Sequence, residues 1–176
     1  WLLRWLGLPA VAVLDGGLAA WHRENRPLTA QIPLAKPSSL SGLTPAQDMW
    51  VDHRAVTAAL RDRKKILIDA RAEPRFLGIQ EPIDSQAGHI PGAVNIPYED
   101  NLAMDGTFLG AVDLLEVYAK TLESRLGKDI ILMCGSGVTA CHNILALELA
   151  GVSGAKLYAG SWSEWIRDPQ RPIVKE

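Results

Sequence analysis

Residues 129–151 read DIILMCGSGVTACHNILALELAG. An apolar run stops at Cys134, a turn of Gly135, Ser136 and Gly137 follows, and a helical pattern begins at once. A thiol at such a place has a specific chemistry open to it. Small residues let the backbone curl tightly, so several N–H groups can point at one spot. That nest and the start of a helix both favour negative charge. They therefore favour the anionic sulfur, which is the nucleophile. The competing reading is a buried structural cysteine, which behaves as a small apolar residue. Asp69 and Arg71, in Ile-Asp-Ala-Arg at 68–71, are a second charged pair at the end of an apolar run.

Several familiar chemistries do not fit the residues around Cys134. A phosphatase-type thiolate loop wants an arginine six residues on, and position 140 is Ala. The chain has no Gly-Lys-Ser/Thr phosphate loop. Around Ser136 the first position of a Gly-x-Ser-x-Gly elbow is Cys134, so a serine nucleophile is not indicated. Cys134, Cys141 and His142 lack the paired spacing of a zinc site, and no metal or cofactor is expected. A cysteine hydrolase would need a base within reach, for which His89 and His142 are the local candidates.

The elements that must position these groups follow from periodicity. The spacing predicts a helix over 45–64, a short strand at 65–71 ending near Asp69, and a helix over 111–126. It predicts a buried strand at 129–134, a helix over 137–151, a strand at 155–160 and the start of a last helix at 161–168. Between 72 and 110 the chain is rich in Gly and Pro and reads as a long irregular loop, with a brief strand at 93–97. A loop of that length inside a domain is usually functional. Strands alternating with helices imply an α/β fold, a parallel sheet of about five strands with helices on both faces. In such sheets ligands bind beyond the C-terminal strand ends, where Cys134 and Asp69 are expected.

The chain has 176 residues, 48% hydrophobic and 22% charged, which is an ordinary globular composition. A net charge of −2 gives no basic footprint for nucleic acid and no bias toward a membrane surface. No apolar run reaches the roughly 18 residues a membrane span needs. Two cysteines make no disulfide framework, and a reducing, cytoplasmic setting is the default expectation.

Internal similarity organises the rest. Residues 2–21 and 146–165 share an order of features: a helix tail ending at Gly7 or Gly151, a turn, a strand, Gly17 or Gly160, and then Trp21 or Trp165. This suggests a tandem repeat. Residues 1–27 are then expected to be the C-terminal remnant of a first domain, and 46–176 a complete second one. The stretch 28–45, with Pro33, Pro37 and Pro45, reads as an extended linker. A missing partner fragment, or self-association, is expected to cover Trp1, Leu2, Trp5 and Leu6.

Taken together, CGSGVTA at 134–140, GHIPGAVNIP at 88–97, IDAR at 68–71, RFLG at 75–78 and LYAGSWSEW at 157–165 resemble the rhodanese-type sulfurtransferases in order and approximate spacing. They are most similar to the second domain of the two-domain 3-mercaptopyruvate and thiosulfate group. The resemblance implies that Cys134 carries a sulfane sulfur as a persulfide, cradled by the amides of Gly135, Ser136, Gly137, Val138 and Thr139. It implies that Arg75 grips the substrate carboxylate and that Asp69, Arg71 and His89 brace the loops. Gly135 and Ser136, where thiosulfate-preferring members carry basic residues, point to 3-mercaptopyruvate as donor, with thiosulfate as the alternative. The implied acceptor is a thiol, cyanide or a thioredoxin-like protein. Two departures stand out. Before the Gly-His-Ile-Pro-Gly motif this chain has Ile83 and Asp84 rather than a second substrate arginine. A charge-relay Asp and His assigned to the family's first domain have no counterpart here, so this stretch alone is expected to be weakly active or inactive. A non-catalytic binding module of the same fold is the reading from another class.

Overall fold

The computed structural model describes residues 1–34, 37, 42–62, 65–123, 125 and 127–175. Much of the proline-rich stretch, residues 35, 36 and 38–41, lies outside them, as do 63 and 64 at the end of the first expected helix and 124 and 126 at the end of another. By internal contacts the chain divides into two units, Trp1–Gln47 with Leu102–Phe108, and Asp48–Asn101 with Leu109–Glu176.

The first unit holds two short helices, α1 (Leu2–Trp5) and α2 (Gly17–Arg23). Gly7, at φ +89°, ends α1 by turning left-handed. The amide of Leu8 reaches back to the Leu3 carbonyl and that of Gly7 to Arg4, the paired bonds of a glycine stop. Trp1 and Trp5 stack on each other, whereas Leu2 and Leu3 remain exposed. The strand expected between Gly7 and Gly17 is absent, and Val13 and Leu14 are exposed. A strand is defined by its ladder, and among the described residues no neighbouring strand pairs with these.

In the second unit five parallel strands form one sheet in the order β1-β5-β4-β2-β3. They are β1 (Trp50–Val51), β2 (Ile66–Asp69), β3 (Ala93–Asn95), β4 (Ile130–Met133) and β5 (Lys156–Tyr158). The helix expected over 45–64 is shorter. A 3-10 turn at Gln47–Met49 and β1 precede α3 (His53–Arg61). Pairing of Trp50 with Leu157 takes the front of that stretch into the sheet, and the Asp52 carboxylate then caps α3 by accepting the Ala55 amide at 2.9 Å. The long 72–110 stretch is also more ordered than expected: it contains α4 (Glu73–Phe76), β3 and a 3-10 turn at Tyr98–Asn101. Helices α5 (Ala111–Leu122), α6 (Val138–Leu149) and α7 (Ser161–Trp165) complete the unit.

Alternation along the strands sorts the core into two layers. Leu67, Ile131, Met133 and Tyr158 pack with Val56 and Ala59 of α3 and with Trp162 and Trp165 of α7. Ile68 and Leu132, one residue out of phase, face the other way and are fully buried, on the side where α6 packs on β4 and α5 on α6. Each such side chain contributes about 1.5–3 kcal/mol by leaving water. A buried amide pair ties the 96–101 segment to α6. The Asn143 side chain donates to the Ile96 carbonyl and accepts from Asn101, whose own carbonyl accepts from Tyr118. Helices thus cover the sheet on both faces.

Candidate active site

The C-terminal ends of β2, β4 and β5 bring the expected residues to one edge of the sheet. Cys134 follows β4 directly and is only 2% exposed, so its sulfur is recessed beneath the loop. The Gly137 amide donates to Sγ at 3.1 Å. Gly137 is left-handed at φ +84° and serves as the N-cap of α6. A Cβ there would stand 2.9 Å from the Ala159 carbonyl, so the turn depends on glycine. No side chain caps α6, which leaves the first-turn amides of a 12-residue helix available to an anion at the loop. Ser136 and Val138 are exposed and Thr139 half-buried.

The turn after β5 clasps this loop. Ser161 is fully buried in a left-handed conformation, φ 52°, unusual for a residue with a side chain. Its hydroxyl accepts from the Cys134 amide at 3.1 Å and donates to the Tyr158 carbonyl at 2.9 Å. The Trp162 amide donates to the Cys134 carbonyl at 3.0 Å, and the Ser163 amide to Gly135 at 2.9 Å. Three of these hydrogen bonds hold Cys134 and Gly135 directly, and the fourth, to Tyr158, orients the Ser161 hydroxyl.

Behind the loop stands a buried ion-pair lattice. Arg71 pairs side-on with Asp69, at 3.0 and 2.8 Å to Oδ2, donates to the Gly88 carbonyl at 2.8 Å and reaches Glu81 at 3.4 Å. Its guanidinium lies 4.6 Å over the Trp162 ring. This anchors the 81–88 segment to the end of β2, a bracing arrangement. Trp162 is fully buried, and its indole donates to the Gln86 carbonyl. His89 is buried, its Nδ1 bonded to the Phe76 carbonyl at 2.9 Å and its ring stacked on Phe76 at 3.8 Å.

Arg75 does reach the loop. Both of its terminal nitrogens lie 3.5 Å from the point a Gly135 Cβ would occupy. It is heavily engaged, however. Glu81 takes Nε at 3.0 Å and Nη2 at 2.7 Å, and Asp84 takes Nη2 at 3.0 Å. Burial pushes Glu81 upward, but the Arg75 bond and the amides of Asp84 and Ile83 more than offset that and hold its carboxyl below the usual glutamate range. The sequence did not single out Glu81, Ser161 or Ser163, because their roles depend on partners in other loops. Ser161 and Ser163 at least lie within LYAGSWSEW, whereas Glu81 falls between the matching motifs and carried no signal.

His142 and Cys141 stand apart from this machinery. Nδ1 of His142 is 3.4 Å from the Asn101 amide, the ring meets Tyr98 edge-on, and burial lowers its basicity. Cys141 donates to the Gly137 carbonyl, and burial pushes its thiol up to about 11, so it stays protonated at neutral pH. Among the described residues no cluster of three or more His, Cys, Asp or Glu is placed to hold a metal. No helix there is long and apolar enough to cross a membrane.

The chain is similar to several known proteins. A Pseudomonas aeruginosa protein named probable 3-mercaptopyruvate sulfurtransferase is 47% identical over 175 residues, covering 99% of this chain and 61% of that protein. Rat thiosulfate sulfurtransferase is 34% identical over 170 residues, covering 95% of this chain and 57% of its own length. The chain thus spans about three fifths of these relatives. An anaerobic ergothioneine biosynthesis enzyme from Chlorobium limicola, solved with trimethyl histidine, superposes with a TM-score of 0.86 at 22% identity, over 97% of this chain and 43% of that one, a likeness of fold. The model of the rhodanese-like domain matches residues 53–168, and this chain belongs to that family.

Proposed function

We propose that this chain carries the sulfur-accepting site of a sulfurtransferase. The observation that carries the reading is the Gly137 amide donating to Cys134 Sγ at 3.1 Å, at the uncapped start of α6. In the first step the Cys134 thiolate attacks the sulfur of 3-mercaptopyruvate. An S–S bond forms as the C–S bond breaks, and its electron pair leaves on pyruvate as the enolate, which takes a proton to give pyruvate. In the second step a thiol or cyanide attacks the outer sulfur. That S–S bond breaks and its electrons return to Cys134 as thiolate. Amides that favour the anion serve both steps, because the sulfur is anionic at the start and at the end. Arg75 offers Nη1 to the donor's carboxylate.

Thiosulfate is the second reading, favoured by the rat relative's name. The same attack would then expel sulfite. The absence of a basic residue at Gly135 and Ser136 supports the donor of lower charge. Incubation with each donor and then with cyanide, with thiocyanate measured, tests both. The reading predicts slow turnover by this chain, with thiocyanate above the uncatalysed rate and formed faster from 3-mercaptopyruvate. Thiocyanate at the uncatalysed rate from both donors would overturn it and favour a binding module of the same fold.

A further inference from the structure

We infer that Asp84 is a specificity-determining residue, one that disfavours donors in proportion to their negative charge. This rests on the reading of the Cys134 loop as a donor site. Its Oδ2 lies 3.0 Å from Arg75 Nη2 and 3.7 Å from the point a Gly135 Cβ would occupy, which puts the carboxylate at the same entrance as the guanidinium. The Ser163 hydroxyl, 2.7 Å from Oδ1 and 2.8 Å from the Gly135 carbonyl, holds it there. The side chain is 9% exposed, so it is a fixed group and not a mobile surface acid.

Arg75 has two edges, and they are used differently. The Nε–Nη2 edge is filled by Glu81. The Nη1–Nη2 edge faces Gly135, and Asp84 occupies half of it. An incoming anion therefore finds one nitrogen in place of a two-pronged grip, beside a negative charge. In the lattice as a whole, the two guanidinia of Arg71 and Arg75 face three carboxylates, Asp69, Glu81 and Asp84, which leaves one net negative charge behind a loop that gathers amides for an anion. Glu81 and Asp69 lie behind the guanidinia, whereas Asp84 adjoins the loop itself. A monoanion tolerates this neighbour better than a dianion, since Coulomb energy scales with ligand charge.

At about 6 Å, even with the full dielectric of water, removing the Asp84 charge should tighten a monoanion about threefold and a dianion about tenfold. The test is binding to the full chain carrying Cys134→Ser, which cannot turn over, with and without Asp84→Asn. Pyruvate and thiosulfate are titrated separately by calorimetry. The expected result is a Kd about threefold lower for pyruvate and about tenfold lower for thiosulfate. Asp84→Ala should give the same order, and Glu116→Gln, an exposed charge on α5, should change neither value. Equal Kd values with and without Asp84, weaker binding of both anions, or no binding by any variant would each overturn the inference. Because no sulfur moves in this assay, the result stands apart from the thiocyanate measurement. Tighter thiosulfate binding in the Asp84 variants, together with thiocyanate at only the uncatalysed rate from the chain that keeps Cys134, would sink the proposed function and leave the role of Asp84 intact.

Discussion

The clasp made by Ser161 offers the sharpest energetic test of how the loop is held. Its hydroxyl satisfies two buried backbone groups at once, the Cys134 amide and the Tyr158 carbonyl. Ser161→Ala removes both bonds and adds no partner. A buried polar group left unsatisfied costs about 1–3 kcal/mol, and a carbonyl with a second lone pair falls at the low end, so the sum is about 3 kcal/mol. The backbone term can be separated. Ser161 sits at φ 52°, where a residue with a Cβ carries about 1 kcal/mol of steric cost that glycine avoids. Ser161→Gly loses the same bonds but regains that cost, so it should be destabilised by only about 2 kcal/mol. In a chain of this size the alanine variant should melt about 10 °C lower. Urea titration, followed by tryptophan fluorescence from the buried Trp162 and Trp165, measures the difference. Persulfide formation should fall in both variants, because the Cys134 amide no longer has a fixed acceptor. An alanine variant within about 0.5 kcal/mol of wild type, below the cost of one lost hydrogen bond, would refute the clasp. A glycine variant less stable than the alanine one would refute the strain argument.

Other predictions concern the loop's backbone and the ion pairs behind it. Gly137→Ala should cost about 2–4 kcal/mol, from the left-handed φ and the close approach to the Ala159 carbonyl, and should abolish sulfur uptake; urea unfolding and a persulfide assay check both parts. Glu81, held below the usual range in the folded state, adds stability that is full above the unfolded carboxyl pKa of about 4.3 and is lost as pH falls through the lower folded value. Urea titrations from pH 6 to 3 should therefore show a steeper loss in wild type than in Glu81→Gln, and parallel curves would contradict the assignment.

Much of the site was legible because it lies in short contiguous motifs. Cys134, its glycines and the α6 start are one local unit, and their chemistry follows from residue type and order. The five-stranded parallel sheet likewise followed from the alternation of apolar runs with helical spacing. What stayed hidden was long-range. The front of the first expected helix became β1 because Trp50 pairs with Leu157, more than a hundred residues away. The strand expected before Gly17 did not form, because among the described residues no strand lies beside it. Arg75 was legible as a candidate grip, but its capture by Glu81 and Asp84 depends on how the 81–88 segment folds back under Arg71. The bland reading of Cys134 as a buried structural thiol was right about burial and silent about the Gly137 amide.

The central claim is that the amide-lined loop makes Cys134 the atom that accepts sulfur. Peptide mass mapping after exposure to 3-mercaptopyruvate and removal of excess donor tests it directly. The account predicts one added sulfur on the peptide carrying Cys134, discharged by cyanide and absent in Cys134→Ser, with Cys141 unchanged. Added sulfur on Cys141, or its persistence in Cys134→Ser, would contradict it.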